Sequence, residues 1–305
     1  MLWNVCLISA LLALQPLSAS AELLRDGETA VTLPLTLRDG RPMLAAEVAG
    51  RAGVVMVDTG TAYPLMLNRD ALDLPQGREV ARGHAASGQV IVVMTHPAPR
   101  AVLAGRTLAL PETALSGDFG FTREGLGPDF LGFLGLPALE DMAFMLDQPR
   151  LALTLLRPGP DGALPLAGPA AATIAAEVAF HLTDDDLPGW SGRIGDRPVA
   201  IDIDTGDSGT LYATSDTLAD LVAGGWLTGG AGNRMLAGLR FGGGAFPPFP
   251  VAVVEAGGAA DMRADTSVDL LRLGASFLGT HPSLWNMPAG RITFLRPGAP
   301  VPPDR

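Results

Sequence analysis

The chain contains no lysine; its 21 basic side chains are all arginine. That absence excludes a nucleotide site built on a Walker lysine. Cysteine occurs once, at Cys6, so neither a disulfide framework nor cysteine ligation is available to the rest of the chain. The four histidines, His84, His96, His181 and His281, are scattered and include no i, i+4 pair. No metal site and no organic cofactor are therefore expected, and each histidine is expected to be a surface or capping side chain. Aromatic residues make up only 6% of the sequence. The formal net charge of −11 lacks the basic face that nucleic acid requires. No apolar run reaches the roughly 18 residues of a membrane helix, so no membrane span is expected in the mature chain.

What is present is apolar, turn-rich and segmented. The 305 residues are 48% hydrophobic and 17% charged, enough for a substantial core. Thirty-eight glycines and 26 prolines favour short strands and frequent turns over long helices. Residues 1–21 read as a signal peptide. An apolar run from Val5 to Leu14 is followed by Ala19-Ser20-Ala21, an A-x-A cleavage pattern before Glu22, although the segment before the run carries no Arg. The expected product is periplasmic or secreted, after cleavage near Ala21.

The chain then repeats itself. Asp58-Thr59-Gly60 ends the apolar run "GVVMV", and Asp204-Thr205-Gly206 ends "PVAIDI", 146 residues later. With no gap, Arg51 falls on Arg197, Leu65 on Leu211, Asp70 on Asp216 and Leu72 on Leu218. A second landmark follows in each half: "FLGFLGLPALEDMAFMLD" around Gly135, and "LLRLGASFLGTHPSLWN" around Gly274. Each glycine is followed twelve residues later by Asp147 or Asn286, then by an arginine (Arg150, Arg291) and an alternating apolar stretch. The period exceeds the roughly 20–50 residues of solenoid units, so this is a duplicated domain. The boundaries read as a first lobe over 22–157, a linker over 158–172 and a second lobe over 173–305. "AVTLPLTL", "VIVVM" and "VAVVE" read as strands. Helices are expected after each Asp-Thr-Gly turn, around 69–72 and 215–223, and after each Leu-Gly.

One Asp-Thr-Gly is an ordinary turn. Two, each closing an apolar strand at the same place in a duplicated unit, can bring two carboxyls face to face. Such a pair shares a proton, one acid serving as base toward water and the other as acid toward a carbonyl oxygen. An apolar strand, Asp-Thr-Gly and a distal Leu-Gly before a closing strand resemble the plan of aspartic proteases. "VDTGTA" with "FLGFLG", and "IDTGDSG" with "LRLGASFL", look most like the bacterial retropepsin-like (predicted aspartyl protease) group, here as a tandem chain over nearly all of residues 28–296.

That resemblance implies an all-β fold of two pseudo-symmetric β-barrel lobes with a few short helices, acting as a monomer that is its own pseudo-dimer. It implies Asp58 and Asp204 as the catalytic pair, Thr59, Gly60, Thr61, Thr205 and Gly206 as its support, and a peptide or protein substrate. It also implies a hairpin flap, for which residues 81–93 are the candidate, with Ala86, Ser87 and Gly88 at the tip. Asp207 departs from the pattern: a small residue usually follows this Gly, and an acid beside Asp204 raises the pair's proton affinity. Asp202, on the same strand face as Asp204, adds a third carboxyl. These acids motivate a rival reading, a peptide-binding or structural module with the same fold. A haloacid-dehalogenase-type phosphatase, which "IDIDTGDSGT" partly resembles, needs a different residue order and a lysine, and leaves the first half unexplained.

Overall fold

A computed structural model describes residues 23–299, apart from 85–88, 160–161, 166–168, 184–185, 231, 259, 262 and 264–265. The fold is all-β with short helices. The three stretches read as strands lie in Ala30–Arg38, Val90–Pro97 and Phe249–Glu255. No helix among the described residues is long and apolar enough to cross a membrane.

The two halves meet in a shared sheet. Its strands run in the order Ile174–Ala179, Arg291–Leu295, Ser283–Asn286, Ala143–Asp147, Ala152–Leu156 and Ala30–Arg38. The seam is the antiparallel pair Ala143–Asp147 with Ser283–Asn286, in which Met145 faces Leu284. These two residues each lie ten positions after a landmark glycine, Gly135 or Gly274, so equivalent residues face each other and the pseudo-twofold axis passes between them. Phe144 stacks on Trp285 beside it, ring centroids 5.1 Å apart. The strands at the seam are buried on both faces, with their polar residues, Asp147, Ser283 and Asn286, at the strand ends. The few aromatic residues are concentrated rather than spread. Phe241, Phe246, Phe277 and Phe294 interlock in the second half, and Phe119, Phe130 and Phe133 in the first.

Each half also contains one looped motif that positions its Asp-Thr-Gly. In the first, strand Arg51–Asp58 runs parallel to Phe130–Gly135, which in turn runs antiparallel to Leu65–Asn68. In the second, Arg197–Ile203, Leu270–Leu273 and Thr210–Ala213 repeat that arrangement. The landmark glycines explain themselves here. A Cβ on Gly135 would collide with the carbonyl oxygens of Tyr63 and Thr61, and one on Gly274 with the carbonyl oxygen of Asp207. Both glycines therefore let the strand end tuck under the Asp-Thr-Gly loop.

Helix Ser215–Ala223 forms where expected, capped by the Thr214 hydroxyl accepting the Thr217 N–H. Its counterpart around 69–72 does not: that segment is a turn. The Asn68 side chain accepts the Asp70 N–H and the Asn68 carbonyl accepts the Ala71 N–H, and Pro75 follows too closely for a helix to propagate. After the landmarks come a 3-10 turn at Leu136–Leu139 and a one-turn helix at Ala275–Leu278. The candidate flap is a hairpin of Arg78–His84 with Val90–Pro97. Its proposed tip, Ala86, Ser87 and Gly88, lies outside the described residues.

Gly135→Ala should destabilise the protein by at least about 2 kcal/mol in urea unfolding, because backbone atoms must move to admit the methyl group. Gly125→Ala, where a Cβ meets nothing within 4 Å, should stay within about 1 kcal/mol of wild type.

Candidate active site

The two Asp-Thr-Gly loops meet on the pseudo-twofold axis and bond each other crosswise. The Thr59 N–H donates to the Thr205 hydroxyl (3.0 Å), and the Thr205 N–H donates to the Thr59 hydroxyl (3.1 Å). Each hydroxyl then donates to the opposite strand: Thr205 Oγ1 to the Val57 carbonyl (2.6 Å) and Thr59 Oγ1 to the Ile203 carbonyl (3.4 Å). All of these groups are buried. Both threonines thus use their hydroxyl as acceptor and donor at once, which serine could also do and valine could not.

This lock brings Asp58 and Asp204 together. The two carboxyls are close enough for each to bear on the other's ionisation, and both are buried. Within each loop the glycine N–H donates to its own aspartate: Gly60 N to Asp58 Oδ1 (3.0 Å) and Gly206 N to Asp204 Oδ1 (2.8 Å). Across the axis each carboxyl lies against the other loop's glycine. A Cβ on Gly60 would sit 2.6 Å from the Asp204 carboxyl, and one on Gly206 2.7 Å from Asp58 Oδ1. Burial, followed by the Asp204 charge and the shared hydrogen bond, pushes Asp58 well above the ordinary carboxylate range, against the Thr61 hydroxyl and Gly60 N–H.

Thr61 and Asp207 occupy equivalent places and differ in chemistry. Each closes the same turn, Thr61 N on the Asp58 carbonyl and Asp207 N on the Asp204 carbonyl, both at 3.1 Å. Thr61 Oγ1 donates to Asp58 Oδ2 at 2.8 Å. Asp207 is fully buried, and its Oδ1 accepts Gly209 N (2.6 Å) and Thr210 Oγ1 (2.9 Å).

Asp202 does not belong to the pair. Its carboxylate is gripped by Arg272, with Nε at 3.0 Å and Nη2 at 2.7 Å, in an ion pair buried on both sides. The two residues are register partners in adjacent parallel strands. The equivalent register partners in the first half are Met56 and Phe133. An ion pair therefore stands in the second half where the first has an apolar contact. The Arg272 interrupting "LLRLG" is the sequence signal for it, and the register supplies its partner.

Arg41 was not legible as a site residue. It is buried, ion-pairs with Asp39 (2.5 Å) and donates from Nε to the Gly206 carbonyl across the interface (2.7 Å). Two of the histidines are buried, and His281 also bonds the Phe277 carbonyl at the end of helix Ala275–Leu278, a capping place. His96 is buried between the Pro75 carbonyl and the Ser116 hydroxyl, both at 2.8 Å, and His281 is buried against Phe277. The β-structure has closed over them, whereas His181 lies on an exposed strand. No cluster of metal-ligating side chains occurs among the described residues. Tyr63 is half-buried beside the first loop, and Tyr212 is buried with Arg263 over its ring at 4.6 Å.

Asp202→Met alone should destabilise the fold by about 3–5 kcal/mol, because it leaves the Arg272 guanidinium buried without its counter-ion. Asp202→Met combined with Arg272→Phe, which copies the first half, should recover most of that loss. A double-mutant cycle in chemical denaturation measures both.

No protein-family model and no curated protein matches the chain. Among solved structures it is similar to the crystal structure of basic 7S globulin from soybean, at 12% identity and a TM-score of 0.51, covering 88% of this chain and 95% of that one. At this identity the likeness is one of fold, the pepsin-like all-β architecture.

Proposed function

We propose that the protein is an aspartic-type endopeptidase of the retropepsin-like kind that hydrolyses peptide bonds with Asp58 and Asp204. The observation that carries this reading is the contact of two buried carboxyls from separate, crosswise-bonded loops, with Asp58 held well above the ordinary carboxylate range. A binding surface gains nothing from burying two acids against each other, since the repulsion lowers stability. A shared proton is what amide hydrolysis uses. The ionised member takes a proton from water as the water oxygen bonds to the peptide carbon. The protonated member gives its proton to the carbonyl oxygen. Collapse of the resulting diol breaks the C–N bond as the protonated carboxyl delivers a proton to the leaving nitrogen and the other takes one from a diol hydroxyl, which restores the pair. No covalent intermediate with the enzyme forms. Thr61 and the Gly60 and Gly206 N–H groups hold the carboxyl planes during these transfers, and the hairpin Arg78–His84/Val90–Pro97 is the candidate cover for a bound peptide.

Asp58→Asn and Asp204→Asn should each lower hydrolysis of a peptide library at mildly acidic pH by at least about 10³-fold while leaving the fold intact, since both acids act as one unit. Activity that survives Asp58→Asn would falsify the mechanism. The buried Asp207 favours the second reading, a non-catalytic peptide-binding module, and wild-type protein that binds peptides and cleaves none across the acidic range would establish it. We also propose export to the periplasm or medium. N-terminal sequencing of the mature protein should begin at Glu22, and a mature chain that keeps Met1 contradicts export.

A further inference from the structure

The buried acid beside Asp204 has no role in the scheme above. Asp207 stands where Thr61 stands in the first half, in the same turn. Its Oδ1 is saturated by Gly209 N and Thr210 Oγ1. Its Oδ2 is buried and has no hydrogen-bond partner among the described residues. A carboxylate with one oxygen bare in the interior is costly, because the orphaned lone pairs have lost water and gained nothing. A proton on Oδ2 removes both the charge and the orphaned acceptor, and turns that oxygen into a donor like the Thr61 hydroxyl.

We propose that Asp207 is held neutral, with its proton on Oδ2, and serves as the positioning residue for Asp204 in the place that the Thr61 hydroxyl takes for Asp58. The surroundings agree. Burial first, then the Asp204 charge, push Asp207 up to about 6, against Arg272, the Gly209 N–H and the Thr210 hydroxyl. The other charged or titratable groups facing this loop are Asp202 paired to Arg272, Tyr212 on the next strand, Asp58 across the axis, and Arg41 through the Gly206 carbonyl. The helix Ala275–Leu278, whose Ala275 N–H caps the Asp207 carbonyl, contributes no titratable side chain. A charged Asp207 would raise the proton affinity of the pair; a neutral one leaves it alone and makes the loop depend on a second proton. Loss of either proton then ends activity, so the alkaline limb of the pH profile is set by whichever leaves first.

The sign for stability follows. The folded state holds this proton up to about pH 6 and the unfolded chain only to about 3.8. Neutral Asp207 therefore stabilises the fold fully below about pH 4, and that contribution is lost as pH rises through about 6.

The test compares full-length wild type with Asp207→Asn, Asp207→Thr and Asp207→Ala. Peptide hydrolysis and Tm are measured from about pH 3 to 8. Asn and Thr supply a donor that does not titrate. They should stay within about tenfold of wild type at acidic pH, with the alkaline limb about one pH unit or more higher. Ala should lose more than about tenfold in kcat, with KM little changed. The Tm gap between Asn and wild type should widen as pH rises through about 6. An Asn profile superimposed on wild type, or Asn as impaired as Ala, overturns the proposal. The activity arm rests on the peptidase reading and the Tm arm does not. If wild type cleaves no peptide, that reading fails, while a widening Tm gap still upholds the neutral acid and a constant gap overturns it. Should the Asn variant not fold, Thr carries both arms.

Discussion

Two threonine hydroxyls hold the centre of this molecule together. Each accepts an N–H from the opposite loop and donates to the strand behind it, so four buried backbone groups are satisfied by two side chains. Without them, two carboxyls in contact and out of water would push their loops apart. With them, the loops are fixed from behind, and the two buried acids are held facing each other. The glycines follow from the same constraint. Gly60 and Gly206 make room for the opposite carboxyl, and Gly135 and Gly274 make room for the loops.

The duplicated backbone carries two different electrostatic environments. Around Asp58 the neighbours are a hydroxyl, Thr61, and an apolar pair, Met56 and Phe133. Around Asp204 the equivalent places hold a buried acid, Asp207, and a buried ion pair, Asp202 with Arg272. Arg272 also pulls down the proton affinity of Asp207, so the ion pair and the extra acid are linked rather than independent oddities. Asp58 and Asp204 are related by symmetry in the backbone and not in the field they experience.

Much of this was legible in the sequence because it is local or periodic. The Asp-Thr-Gly turns, the apolar runs before them and the landmark glycines are short-range features, and their common spacing revealed the duplication. The all-β class followed from strand patterns and turn composition. What was not legible depends on pairing across the fold. Asp202 looked like a third acid of the site because its counter-ion lies 70 residues away and meets it only through strand register. Arg41 reaches Gly206 over 165 residues. The turn at 69–72 shares Asp70 and Leu72 with its helical counterpart, but the side-chain amide of Asn68 and the nearby Pro75 decide otherwise. The burial of His96 is not legible for the same reason: it is settled by which strands close over a side chain, not by the side chain alone.

Arg41 shows what the divergence of the halves has made impossible. Its equivalent in the second half is Leu187, buried and apolar. A self-assembled pair of first halves would carry two Arg41 guanidiniums and no Asp207, and a pair of second halves would carry two buried Asp207 carboxyls and no arginine at that seam. Neither reproduces the mixed environment of the intact chain. What began as repetition has become complementarity, as in a lock whose two cheeks are no longer cut from one pattern. A nick in the connecting segment would leave fragments that can rebuild the paired loops only as unlike partners.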